Sequence, residues 1–128
     1  MYRILIAEDD ILNRESLYNL LKNKGYEVIT AKSGKEAIHQ LSIQTPDLVI
    51  TDILMPEVDG IELIMEVKRE YPLLKIIAMS AGGHIGANEH LLTARRLGVN
   101  AVIEKPINQI QLFNLISKLG LDNNKERA

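Results

Sequence analysis

The sequence predicts an α/β fold: a parallel β-sheet of five strands with helices on both faces. Three observations carry that reading. Five short apolar runs alternate with five longer segments whose apolar residues recur at helical spacing. Four of the five runs lack the polar alternation of a strand with one wet face, so they read as strands covered on both sides. Strict alternation of strand and helix implies parallel pairing, and right-handed crossovers spread the helices over both faces.

The elements follow in order. "YRILIAE" is a strand by its apolar run. "ILNRESLYNLLKNKG" places Leu17, Leu20 and Leu21 on one helical face, with Gly25 as its stop. "YEVITA" is the second strand. "SGKEAIHQLSI" opens with Ser33 and Glu36 at the spacing of a capping box, so a helix starts there. "DLVITD" is the third strand, and "DGIELIMEVKREY" a helix with Ile61, Ile64 and Val67 facing inward. "LKIIAMS" is the fourth strand, followed by the glycine-closed helix "ANEHLLTARRLG". "NAVIEK" is the fifth strand and "NQIQLFNLISKLG" the last helix.

The chain, at 128 residues, is near the modal size of one domain. Residues 1–121 read as that domain, and the polar "DNNKERA", 122–128, as a frayed tail. A hydrophobic content of 46% supports a real core. The net charge of −2, with acids and bases mixed, argues against a non-specific nucleic-acid binder. The absence of cysteine excludes disulfides and thiolate metal sites. No apolar run approaches the roughly 20 residues of a membrane span. The first ten residues lack the layout of a signal peptide, so a cytoplasmic location is expected.

In an open parallel sheet, ligands sit outside the carboxyl ends of the strands. The residues expected there are Glu8, Asp9 and Asp10, then Lys32, Asp52, Ser80, and Lys105 followed by Pro106. If the first strand is central and flanked by the third, these exits form one rim. Carboxylates crowded on such a rim repel one another unless a cation joins them. Mg²⁺ suits the donor set, since it takes one or two carboxylates plus water and phosphate oxygens. Asp52 could then act as a nucleophile toward a phosphoryl group, with Lys105 as a point charge and Ser80 as a hydroxyl donor. Asp10 reads instead as the N-cap of the first helix. The three histidines, His39, His84 and His90, do not share a spacing suited to a metal site.

The motifs "LIAEDD", "DLVITDILMPEVDGIEL", "IIAMSA" and "VIEKPI" together make the chain resemble the receiver domain of bacterial two-component response regulators. The resemblance covers essentially the whole chain. It implies a flavodoxin-like fold with strand order 2-1-3-4-5. It implies that Asp52 is the phosphoacceptor, Asp9 a direct Mg²⁺ ligand, Glu8 the holder of a metal-bound water, and the Leu54 backbone carbonyl a further ligand. Ser80 would be the switch hydroxyl and Lys105 the phosphate-sensing lysine, with a cis bond to Pro106. The phosphoryl donor would be a histidine kinase or a histidine phosphotransfer protein. The signal would leave through an unidentified downstream protein, from a monomer or a phosphorylation-dependent homodimer. Neither nucleic acid nor membrane is expected as a direct partner. The domain would not be a conventional enzyme, but would catalyse its own aspartyl phosphorylation and dephosphorylation.

Two departures stand out. Receivers usually carry Tyr or Phe three residues before the lysine, where this chain has Val102. The segment after Ser80 is rich in glycine, with Gly82, Gly83 and Gly86 offering backbone freedom for a loop-based switch. The competing readings are a degenerate receiver that binds without phosphorylation, a Mg²⁺-dependent phosphatase with an Asp nucleophile, and a flavin-binding module. The phosphatase reading lacks its second acid, since Leu54 stands two residues after Asp52. The flavin reading would set a phosphate against acids.

Overall fold

A computed structural model of the chain describes residues 1–55, 59–81 and 87–123. The elements run β1 (Arg3–Ala7), α1 (Ile11–Asn23), β2 (Glu27–Ala31), α2 (Gly34–Ile43), β3 (Leu48–Asp52), α3 (Gly60–Glu70), β4 (Lys75–Ala81), α4 (Ala87–Arg96), β5 (Ala101–Lys105) and α5 (Gln109–Lys118). The strands form one sheet in the order β2-β1-β3-β4-β5, with every pair parallel. Ala7 lies opposite Thr51, Asp52 opposite Met79, and Ala81 opposite Lys105. That register brings the ends of β1, β3, β4 and β5 to one rim, as the sequence predicts.

Both faces of the sheet are buried. Alternation along each strand sends Leu5, Val49 and Ile76 to one side, where they pack with Leu41 of α2, Leu63, Ile64 and Val67 of α3, and Ala94 of α4. Ile4, Ile6, Ile50 and Ile77 face the other side, against Leu17 and Leu21 of α1 and Leu112 and Ile116 of α5. The expected inward residue Ile61 is only partly buried, and Leu63 takes the deeper place. Val102 packs on the same side as α4.

Helix starts follow the capping chemistry. Asp10 Oδ2 accepts from the Asn13 amide at 2.9 Å, and Ser33 Oγ from the Glu36 amide at 3.1 Å. Asp59 and Asn108 cap α3 and α5 in the same way. Gly25, just beyond α1, has φ of 99°, a left-handed conformation that closes the helix at low cost. The expected tail is docked over its first two residues: the Ser117 hydroxyl bonds Asp122, and Asn123 Nδ2 donates to Lys24 O at 3.2 Å. Tyr26 Oη donates to Leu121 O at 2.8 Å just before them. Residues 124–128, Pro56 of the "MP" run, and Gly82, Gly83 and Gly86 lie outside the described residues. Among the described residues, no helix is long and apolar enough to cross a membrane.

One glycine is read from sequence as a tight turn and has a different role in the fold. Gly60 is the first residue of α3, and its amide donates to Ile53 O at 2.8 Å. A Cβ there would stand 1.9 Å from the carbonyl oxygen of Asp52 and 2.6 Å from Ile53 Cα. Helix propensity alone makes Ala better than Gly by about 1 kcal/mol. Backbone overlap at a buried strand end outweighs that, with overpacking costs of about 1–3 kcal/mol. Gly60→Ala is therefore expected to lower the urea midpoint of unfolding; a stabilised variant would contradict the close approach.

Candidate functional site

The site grows from three strand ends. β1 ends at Ala7, and the Glu8 amide still pairs with Ala31 O at 3.0 Å, so Glu8 leaves the sheet in a fixed direction. Its side chain is 1% exposed, and its Oε2 accepts from the Asp10 amide at 3.2 Å. Asp52 ends β3 at 8% exposure. Pairing continues past it, with the Ile53 amide on Met79 O at 3.0 Å, and the Thr51 hydroxyl donates to Asp52 O at 2.8 Å. The backbone of Asp52 and Ile53 is thus held from Thr51 at the Asp52 carbonyl, and from Gly60 and β4 at Ile53. Lys105 ends β5 and is joined to Pro106 by a cis peptide bond.

Glu8, Asp9 and Asp52 each offer a carboxylate oxygen, and these oxygens lie within 4.8 Å of one another. Two of the three residues are buried, while Asp9 is exposed. Like charges this close in a desolvated site repel strongly. Lys105 answers that repulsion: its ammonium donates to Asp52 Oδ2 at 2.6 Å and to Glu8 Oε1. Burial pushes the Glu8 carboxyl up to about 7, and the charge of Asp52 adds to the shift. The hydrogen bonds from Lys105 and the Asp10 amide work against it. Burial by itself would lower the Lys105 ammonium, but its bonds to Asp52 and Glu8 prevail and hold it above its ordinary value.

The sequence-predicted residues are thus brought together unequally. Glu8, Asp9, Asp52 and Lys105 form one cluster. Ser80 is buried at 4% exposure, one residue beyond Met79, the register partner of Asp52. Its hydroxyl makes no hydrogen bond to another described residue. The Leu54 side chain is exposed, and its amide stands 3.4 Å from Asp52 Oδ1, at the long limit of a hydrogen bond. Lys32 stays outside the cluster on an exposed loop. Sequence reading missed two contributors. Thr51 looks like one more core position in "DLVITD", and Arg14 like one more charge on an exposed helix face. A cavity of about 680 Å³ opens beside Glu8 and Lys105, lined by Leu17 and Leu20 of α1, Met79 of β4 and Ile107. The donor atoms of the cluster are all oxygens, which suits a hard cation of the Mg²⁺ class.

Comparison with known proteins agrees with this geometry. Residues 4–117 match the response regulator receiver domain family. The chain is 31% identical over 119 residues to the chemotaxis protein CheY of Listeria monocytogenes, covering 92% of this chain and 98% of that protein. It is 38% identical over 109 residues to a protein-glutamate methylesterase/protein-glutamine glutaminase of Trichodesmium erythraeum, covering 84% of this chain. There it spans only 31% of the relative's length. The solved receiver domain of NtrX from Brucella abortus superposes with a TM-score of 0.83 at 29% identity, covering 94% of this chain and 98% of that one.

The chain belongs to the response regulator receiver domain family. Receiver domains are signalling modules that bind Mg²⁺ at an acidic pocket and interact with histidine kinases or phosphotransfer proteins, and this chain carries such a cluster in Glu8, Asp9 and Asp52.

The raised Glu8 carboxyl makes stability depend on pH in the metal-free protein. The group titrates near 4.5 in the unfolded chain and near 7 in the fold, so the native state holds more protons between those values. Its contribution is fully present below pH 4.5 and is lost as pH rises through about 7. That shift corresponds to a loss on the order of 3 kcal/mol. Urea unfolding in chelator should show wild type losing stability relative to Glu8→Gln across that window; parallel pH curves would contradict the assignment.

Proposed function

We propose that the domain is a phosphorylation switch in which Asp52 accepts a phosphoryl group from a phosphohistidine. The observation that carries this reading is the Lys105 ammonium bridging two buried carboxylates, Asp52 and Glu8, at the strand exits. An Asp52 carboxylate oxygen attacks phosphorus, the phosphorus–nitrogen bond of the donor breaks, and the imidazole leaves with the electron pair and takes up a proton. The product is an acyl phosphate on Asp52. The opening between α1 and α5 beside Lys105 gives a donor group room to approach.

Asp9, Asp52 and the Leu54 carbonyl would hold Mg²⁺, with Glu8 reaching it through water. The bound ion would neutralise charge on the phosphoryl oxygens. Lys105 starts between two carboxylates and, as the charge on Asp52 moves to the phosphoryl group, turns its ammonium to a phosphoryl oxygen. The Ser80 hydroxyl, uncommitted among the described residues, donates to another. In dephosphorylation a water oxygen attacks the same phosphorus, the phosphorus–oxygen bond to Asp52 breaks, and inorganic phosphate leaves as the Asp52 carboxylate is restored. A partner, reading the rearranged rim, carries the signal onward, and Val102 leaves that readout without the usual aromatic ring. The donor is a histidine kinase or a phosphotransfer protein, and a cytoplasmic setting follows from that partner.

Two outcomes test the reading. Incubation with acetyl phosphate and Mg²⁺ should add one phosphoryl group by intact mass, and Asp52→Asn should add none; persistent labelling of that variant would move the site elsewhere. Millimolar-scale Mg²⁺ should raise the melting temperature of wild type, because it binds the native state alone, and should leave Asp9→Ala nearly unmoved. An equal shift in both proteins would remove Asp9 from the metal site.

A further inference from the structure

We propose that Arg14 is a positioning residue for the acidic loop and that it sets the affinity of the site for Mg²⁺. The inference rests on the reading of Glu8, Asp9 and Asp52 as the Mg²⁺ site. Arg14 lies in the first turn of α1 and is half-buried. It makes no ion pair with a described residue, although Glu8, Asp9 and Asp10 all precede it closely. Its bonds go to backbone instead. Nη1 donates to Glu8 O at 3.0 Å and to Asp9 O at 3.3 Å, and the Arg14 amide donates to Asp10 O at 2.9 Å.

One residue therefore ties three successive carbonyls. Fixing those carbonyls fixes the peptide planes between Glu8 and Asp10, and with them the directions in which the Glu8 and Asp9 side chains leave the backbone. The rest of the loop is held around Asp9 and not at it. The Glu8 amide is on Ala31 O, the Asp10 amide on Glu8 Oε2, and the Asp10 side chain caps α1. Asp9 itself is exposed, and the described bond to its carbonyl comes from Arg14. Without the guanidinium, Asp9 must be ordered at the moment the cation binds.

Charge and position make opposite demands. A guanidinium close to the acidic loop repels a divalent cation, so Coulomb's law alone has Arg14→Ala binding Mg²⁺ more tightly, most of all at low salt. A carbonyl clamp has the same variant binding more weakly, by about tenfold, as for other groups that orient metal ligands. Arg14→Lys keeps the charge and a donor nitrogen but lacks the planar guanidinium fork, and is expected to fall between wild type and Arg14→Ala.

The test is Mg²⁺ titration by calorimetry of wild type, Arg14→Ala and Arg14→Lys, well below their melting temperatures. Amide exchange at Asp9 and Asp10 in chelator accompanies it. The clamp predicts weaker binding in Arg14→Ala, partial recovery in Arg14→Lys, and faster exchange at both amides before any metal is added. Equal or tighter binding by Arg14→Ala, with wild type binding normally, would overturn the inference and leave the metal reading intact. If wild type binds no Mg²⁺, the metal reading itself fails, and unchanged exchange at Asp9 and Asp10 would then overturn the clamp as well.

Discussion

The structure is organised around one interaction, the Lys105 ammonium held between Asp52 and Glu8. These residues are 53 and 97 positions from Lys105 in the chain, so the bridge forms only when β1, β3 and β5 are all in register. Two carboxylates in a desolvated rim oppose folding, and a cation between them offsets much of that cost. Removing one partner of such a group leaves a buried charge uncompensated, which costs about 3–5 kcal/mol in comparable cases. The proposed function draws its chemistry from the same arrangement. A site that needs a cation to be stable is ready to take up a metal ion, and a lysine already on Asp52 is well placed to follow charge that leaves it.

The scaffold serves this bridge from underneath. Parallel strands bring their exits to one edge, and two apolar layers fix the sheet between α1 and α5 on one side and α2, α3 and α4 on the other. The finer control is in backbone contacts. Gly60 lets α3 start against the Asp52 carbonyl, where any side chain would overlap it. Thr51 places its hydroxyl on that same carbonyl from within the core. On β1 the Asp10 cap and the Arg14 bonds hold the acidic loop. Asp52, Glu8 and Asp9 are thus positioned by polar contacts to main chain, and the apolar core sets only where the strands end.

Much of this was legible in the sequence. The strand ends differ from expectation by about a residue, because apolar runs bounded by turn residues mark buried strands sharply. Asp10 and Ser33 cap their helices as their spacing implies. The cluster of Glu8, Asp9, Asp52 and Lys105 could be listed because strand exits in a parallel sheet share one rim. What sequence could not give was pairing within that rim. Lys105 is expected to meet a phosphoryl oxygen, yet in this structure it meets two carboxylates. Gly60 looks like a turn because a glycine needed for close approach has the same letter as one needed for positive φ. Arg14 acts through carbonyl oxygens, which every residue has, so nothing in its neighbours marks it. Asp122 and Asn123 look like tail by composition, but hydrogen bonds to Ser117 and Lys24 dock them.

The most direct test of the bridge is a carboxyl-carbon NMR titration of Glu8 in the metal-free protein, in wild type and in Lys105→Met. The bridge predicts a wild-type midpoint near 7, set by burial and by Asp52 against the pull of Lys105. It also predicts a higher midpoint in the variant, where that pull is gone. A Glu8 midpoint that does not move, or that falls, when the lysine is replaced would contradict it.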